Sequence, residues 1–156
     1  MESLPVGTET TASDRRAKQL ELDKYYMSIA EAVQRGADCT GTKVGAVLVL
    51  GQRVIGIGYN GAPSGFTNCS EGGCVRCRRD RWLEKQGRTD EMTDQSHTAG
   101  NALDRCICVH AEQNAFITAA RFGIRVEGAR FTRSITPCFT CLKEATQAGV
   151  TRVVYR

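Results

Sequence analysis

The sequence predicts an α/β fold, with helices flanking a central mixed sheet. Three observations carry this. Residues 44–50 are a continuous apolar, β-branched run, and 150–155 read as a last strand. Residues 110–122 and 138–148 repeat alanine and other apolar residues at helical spacing, and each stretch is closed by a glycine. The elements follow in the order α-β-β-α-β-α-β, which packs helices onto a mixed sheet. With 156 residues, the chain has room for one domain.

Residues 1–12 are rich in Thr, Glu and Gly, so the reading assigns 1–13 to a flexible tail. Ser13 with Asp14 then caps a helix running to about Arg35. Leu20, Met27, Ala30 and Val33 supply its apolar side and Gly36 stops it. After the strand at 44–50, Gly51-Gln52 turns the chain into a second strand, 53–59. Gly56 and Gly58 weaken that strand and mark a bulge or the close approach of a ligand.

The stretch from 61 to 108 has little periodicity and carries five cysteines, besides a mixed-charge segment at 76–88 that reads as a short helix. A structureless loop of this length is uncommon inside a compact domain, so something has to hold it, and metal is the obvious agent. Trp82 and Leu83 read as packing residues. Beyond it, Ala111, Ala115, Ala119 and Phe122 form the apolar side of a helix, 129–134 is a strand, and Pro137 sits in the first turn of the next helix, where its missing N–H has no partner to lose. Residues 14–156 thus read as one domain with a Cys-rich insertion at about 61–108.

Composition excludes several classes. Hydrophobic residues make up 41% and charged residues 24%, an ordinary balance for a folded chain. No apolar run reaches the length of a membrane helix. Residues 1–13 lack a basic region followed by an apolar one, so the reading is cytoplasmic. The net charge of +4 suits a small anionic ligand and lacks the concentrated basic runs of a duplex binder. Aromatics, at 6%, are too few for a single-strand stacking track. Eight cysteines in a reducing compartment point to metal ligands or catalytic groups rather than disulfides.

Two short motifs carry the chemistry: His110-Ala111-Glu112 at the start of one helix and Pro137-Cys138-Phe139-Thr140-Cys141 at the start of the next. Cys138 and Cys141, three apart, share a helix face. At a helix N-terminus, the partial positive charge lowers thiol pKa and favours thiolate. With the His110 imidazole they make three ligands of the kind zinc prefers, and an open fourth position is the mark of a catalytic site. Glu112 is placed beside the metal without ligating it, as a general acid and base. Alone, HxE is usually a surface pair and CxxC often structural. Together, in a chain with two histidines, they specify a site.

H-x-E followed by P-C-x-x-C is the signature of zinc-dependent nucleobase deaminases. With HAEQNA, PCFTC, VGAVLV, GYNGAPSG and QAGVTRVVY, the chain resembles the cytidine and deoxycytidylate deaminase family, in its dCMP deaminase branch, over about residues 24–155. The resemblance implies a cytidine-deaminase-like three-layer α/β/α fold with a central mixed sheet. It implies hydrolysis of dCMP to dUMP and ammonia by zinc-hydroxide attack on C4, with Glu112 protonating N3 and then the leaving amine. The Ala111 N–H becomes a donor to the ring carbonyl, and Asn60 a deoxyribose contact. It further implies a homo-oligomer with dCTP and dTTP as effectors, and a partner subunit covering the edge left by the last strand. A second, structural metal is implied on Cys39, Cys69, Cys74 and Cys106, with Cys77 and Cys108 as alternatives. His97 is an outside candidate for that metal.

Lys43, Arg105 and Arg133 are phosphate candidates. Arg76, Arg78, Arg79 and Arg81 alternate with Asp80 and Glu84 and read as a solvated helix face. Residues 133–136 depart from the family pattern, which has more apolar or aromatic residues before the proline. The alternatives are a deaminase of another nucleoside, nucleotide or base, a nucleic-acid-editing zinc deaminase, and a non-catalytic zinc scaffold.

Overall fold

A computed structural model describes residues 11–92 and 106–156. His97, Arg105 and residues 1–10 of the predicted tail lie outside them. Helix α1 spans Ala12–Gln34. It begins earlier than predicted because Thr11, not Ser13, is its cap. The Asp14 N–H donates to Thr11 Oγ1 and the Thr11 N–H to the Asp14 carboxylate, each at 3.1 Å.

Strand β1 (Gly45–Leu50) is central and buried. It pairs antiparallel with β2 (Arg53–Tyr59) and with β3 (Arg130–Arg133). Strand β4 (Arg152–Tyr155) runs parallel to β3, completing a mixed sheet of order β2-β1-β3-β4. Strand alternation sends Val47 and Val49 toward Tyr26 and Ala30 of α1. Ala46 and Leu48 face the other way, toward Ala111, Ala115 and Ala119 of α3 (Ala111–Arg121) and toward Phe131. Helix α4 (Phe139–Gln147) joins β3 to β4 and packs beside α3. The result is helix, sheet, helix in three layers, as predicted. None of the described helices is long and apolar enough to cross a membrane.

Several side chains depart from the predicted pattern. Leu20 of α1 is 55% exposed, because the buried stripe runs through Asp23, Tyr26, Met27 and Ala30 instead. Asp23 earns its burial by receiving Arg130 of β3 at 3.1 Å and Arg152 of β4, which ties α1 to the sheet. Phe122 lies past the end of α3 and is exposed. Helix α2 (Val75–Lys85) forms where the mixed-charge segment stands. In it Leu83 is buried, while Trp82 is exposed beneath the Arg88 guanidinium, 5.9 Å from the ring centre. Arg76 and Asp80 pair at 3.8 Å along the same helix.

The β2 glycines have separate uses. Leu48 pairs with Gly56 and Val49 with Val54, so Ile55 is the extra residue of a bulge. The close approach at Gly58 is made by helix backbone rather than by a ligand. A Cβ there would lie 2.1 Å from the Ala111 oxygen and 2.6 Å from the Ala115 nitrogen. Gly58 thereby seats the first turn of α3, which carries the HAE motif, against the sheet. Gly58→Ala is expected to cost about 1–3 kcal/mol in a urea melt, by overpacking. Gly61→Ala, whose Cβ meets nothing within 4 Å, is expected to melt like the parent.

Candidate active site

His110 is the N-cap of α3 and Cys138 the N-cap of α4, so both motifs occupy helix starts. The His110 N–H donates to Gln113 Oε1 at 3.2 Å, and Gln113 Nε2 donates to Glu144 of α4 at 3.1 Å, fixing one helix start against the other helix. Cys138 Sγ accepts the Cys141 N–H at 3.5 Å. Pro137 therefore precedes the cap instead of lying in the first turn, because the Cys138 sulfur takes the capping role.

His110 Nδ1 lies 3.6 Å from Cys138 Sγ and 3.4 Å from Cys141 Sγ. A tetrahedral ion with Zn–N of about 2.0 Å and Zn–S of about 2.3 Å separates nitrogen from sulfur by about 3.5 Å. The three donors thus match one zinc ion in chemistry and in spacing, and among the described residues no fourth His, Cys, Asp or Glu joins them. Burial first, then the charges of Glu112 and Cys138, push the Cys141 thiol well above its ordinary range.

Glu112, the second residue of α3, is fully buried, and neither carboxylate oxygen has a hydrogen-bond partner. Its one charged neighbour among the described residues is Arg133, whose Nη1 stands 2.8 Å from Oε1. That nitrogen directs its hydrogen bond to the Thr136 carbonyl, at 2.6 Å. Arg133 is itself 6% exposed. Sequence reasoning missed this pairing. The available signal was strand alternation, which puts Arg133 on the same face as Phe131, toward α3.

Ala111 is the first residue of α3 and is fully buried. A helix start leaves such N–H groups without intrahelical partners. Asn60 is 8% exposed and spans the loop before β1. Its Oδ1 accepts the Val44 N–H at 2.8 Å, and its Nδ2 donates to the Thr42 carbonyl at 2.9 Å. Lys43, between those two residues, is exposed.

The remaining six cysteines come together in a second, buried cluster. The sulfurs of Cys39, Cys69 and Cys77 lie within 4.8 Å of one another, as do those of Cys74, Cys77 and Cys106. Cys108 lies in the same buried cluster. Hydrogen bonds from Cys108 and Cys77 lower the Cys39 thiol to about 3 and lower Cys106 as well, while the donors Cys77 and Cys108 are held upward.

Residues 20–156 match the cytidine and deoxycytidylate deaminase zinc-binding region. The deoxycytidylate deaminase of Schizosaccharomyces pombe is 38% identical over 85% of this chain, which spans 36% of that protein. The deoxycytidylate deaminase of Mycobacterium phage D29 is also 38% identical over 85% of this chain, which spans 92% of it. The crystal structure of dCMP deaminase from the cyanophage S-TIM5 in complex with dCMP and dUMP has a TM-score of 0.62 to this structure. Identity is 32%, covering 87% of this chain and 81% of that one.

Proposed function

The chain belongs to the cytidine and deoxycytidylate deaminase family, and on that premise we propose that it hydrolyses dCMP to dUMP and ammonia. The observation that carries the reading is a three-donor centre, spaced for one zinc ion, beside a fully buried carboxylate that faces the Arg133 guanidinium. The relatives named deoxycytidylate deaminase, and the solved structure holding dCMP and dUMP, support the choice of substrate.

In this reading His110, Cys138 and Cys141 hold the zinc. Bound there, zinc acidifies a water molecule toward neutral pKa. Glu112 would take one proton from that water as its oxygen bonds to C4, deliver it to N3 of the cytosine ring, and carry the remaining proton of the new C4 hydroxyl to the departing amine as the C–N bond breaks. One water is consumed and one ammonia leaves. The Ala111 N–H donates to the ring carbonyl from the helix start, and Asn60 presents the loop at 42–44 to the deoxyribose. Arg133 holds the Glu112 carboxylate by charge from beneath.

Residues 14–156 act as a single deaminase domain, with the insertion at 61–108 braced by structural zinc in the six-cysteine cluster. The reducing cytoplasm, where thiols stay available to metal, suits both centres. Exposed Ile117, Phe122 and Phe139 suit a homo-oligomer, and control by dCTP and dTTP extends the reading on the resemblance.

Purified, zinc-loaded protein assayed against dCMP, dCTP, deoxycytidine, cytosine, guanine and single-stranded DNA is expected to turn over dCMP best. Turnover of DNA without dCMP overturns this reading in favour of an editing enzyme. Zinc binding with no turnover of any of them favours a scaffold.

A further inference from the structure

The six-cysteine cluster contains more sulfur than one ion can use. We propose that it holds two zinc ions as a thiolate-bridged pair, with Cys77 and Cys108 as the bridges. Cys39 and Cys69 complete one ion, and Cys74 and Cys106 complete the other. The inference rests on the reading above that this cluster binds structural zinc, and goes on to the number of ions and the role of each sulfur.

Contact topology separates the two possibilities. Cys77 is the shared member of two three-sulfur groups, one with Cys39 and Cys69, the other with Cys74 and Cys106. Cys108 is the sixth sulfur of the same buried cluster and is left over when those two groups are filled, so it is the one available to give each group a fourth sulfur. A structural zinc takes four ligands. A single ion on Cys39, Cys69, Cys74 and Cys106 would leave Cys77 and Cys108 unused. Two tetrahedral ions need about eight metal–sulfur bonds, and six thiolates supply them when two sulfurs bridge. Cys77 takes one bridging place because both groups share it, and Cys108 takes the other as the remaining sulfur of the cluster. The 3.9 Å between Cys74 and Cys106 is close to the roughly 3.8 Å that two sulfurs keep around one tetrahedral zinc.

The surroundings suit anionic sulfur. The Thr40 N–H reaches Cys69 Sγ, a sulfur assigned as terminal, at 3.4 Å, in the manner of outer-shell bonds that orient metal ligands. Helix α2 adds its positive end, with Cys74 as N-cap and Cys77 as third residue. The pair would clamp the segment before β1, the insertion, and the segment leading into α3. Cys108 lies two residues from His110, so the clamp also sets the position of the catalytic centre.

Metal content of the full-length protein, purified without added zinc, is the test. About three zinc ions per chain are expected, falling to about two in the His110→Ala, Cys138→Ser, Cys141→Ser variant. About two falling to about one overturns the pair and leaves a single structural zinc. About one falling to none removes metal from the cluster altogether. A variant that loses no zinc instead refutes the catalytic ligands, independently of the cluster. In case that variant does not fold, the parent protein loaded with cadmium-113 provides a second readout. Two thiolate-shifted resonances split by coupling through shared sulfur are expected, and two unsplit resonances, or one, overturn the bridge.

Discussion

Glu112→Gln leaves zinc content unchanged and lowers kcat on dCMP by about 100- to 10,000-fold, the range removed with a positioned proton carrier. Glutamine matches glutamate in size, so the first turn of α3 keeps its seat on Gly58 and His110 keeps its place as N-cap. What is lost is the group able to accept and return a proton. Because the side chain is fully buried, bulk water has no direct route to replace it. KM is expected to change far less than kcat, since the missing function belongs to the reaction and not to binding. Steady-state kinetics with metal analysis on the same sample checks both halves. A variant that retains zinc and full turnover removes Glu112 from the chemistry.

Arg133→Met is expected to destabilise the metal-free protein by about 3–5 kcal/mol, because it leaves the buried Glu112 carboxylate without its opposite charge. Methionine fills most of the volume, so the loss reports charge more than packing. The zinc-loaded protein should suffer less, because a cation held by His110, Cys138 and Cys141 stands in part for the missing guanidinium. Arg133→Lys, which keeps the charge but not the planar fork, should fall between parent and Arg133→Met. Urea melts of the three proteins, each with and without chelator, measure this. Equal destabilisation in both metal states would mean that Arg133 only packs β3 against α3.

The two findings differ in how much the sequence disclosed. HAE and PCFTC are local motifs. Each fits one helix start, and the spacing of two cysteines three apart decides their common face without tertiary knowledge. The alternation in β1 was legible for the same reason, since a strand buried on both sides leaves a continuous apolar run. Arg133 was not. A lone arginine near a strand end ordinarily reads as a surface group, and only the pairing of Ala46 with Arg133 puts it inside, against the start of α3. The six-cysteine cluster lies between these cases. Cysteine count announced a metal, but its members come from three separated segments without periodicity, so the grouping around Cys77 emerges only when those segments meet. Leu20 and Phe122 failed for smaller reasons: the buried stripe of α1 runs through Asp23, Tyr26, Met27 and Ala30 and passes Leu20 by, and Phe122 lies beyond the last residue of α3.

An anomalous difference map at the zinc absorption edge tests the central claim most directly. It should show one ion bonded to His110 Nδ1, Cys138 Sγ and Cys141 Sγ, its fourth position taken by water or substrate within reach of the Glu112 carboxylate. A map without an ion among those three donors, or with a fourth protein ligand closing the site, would contradict the account.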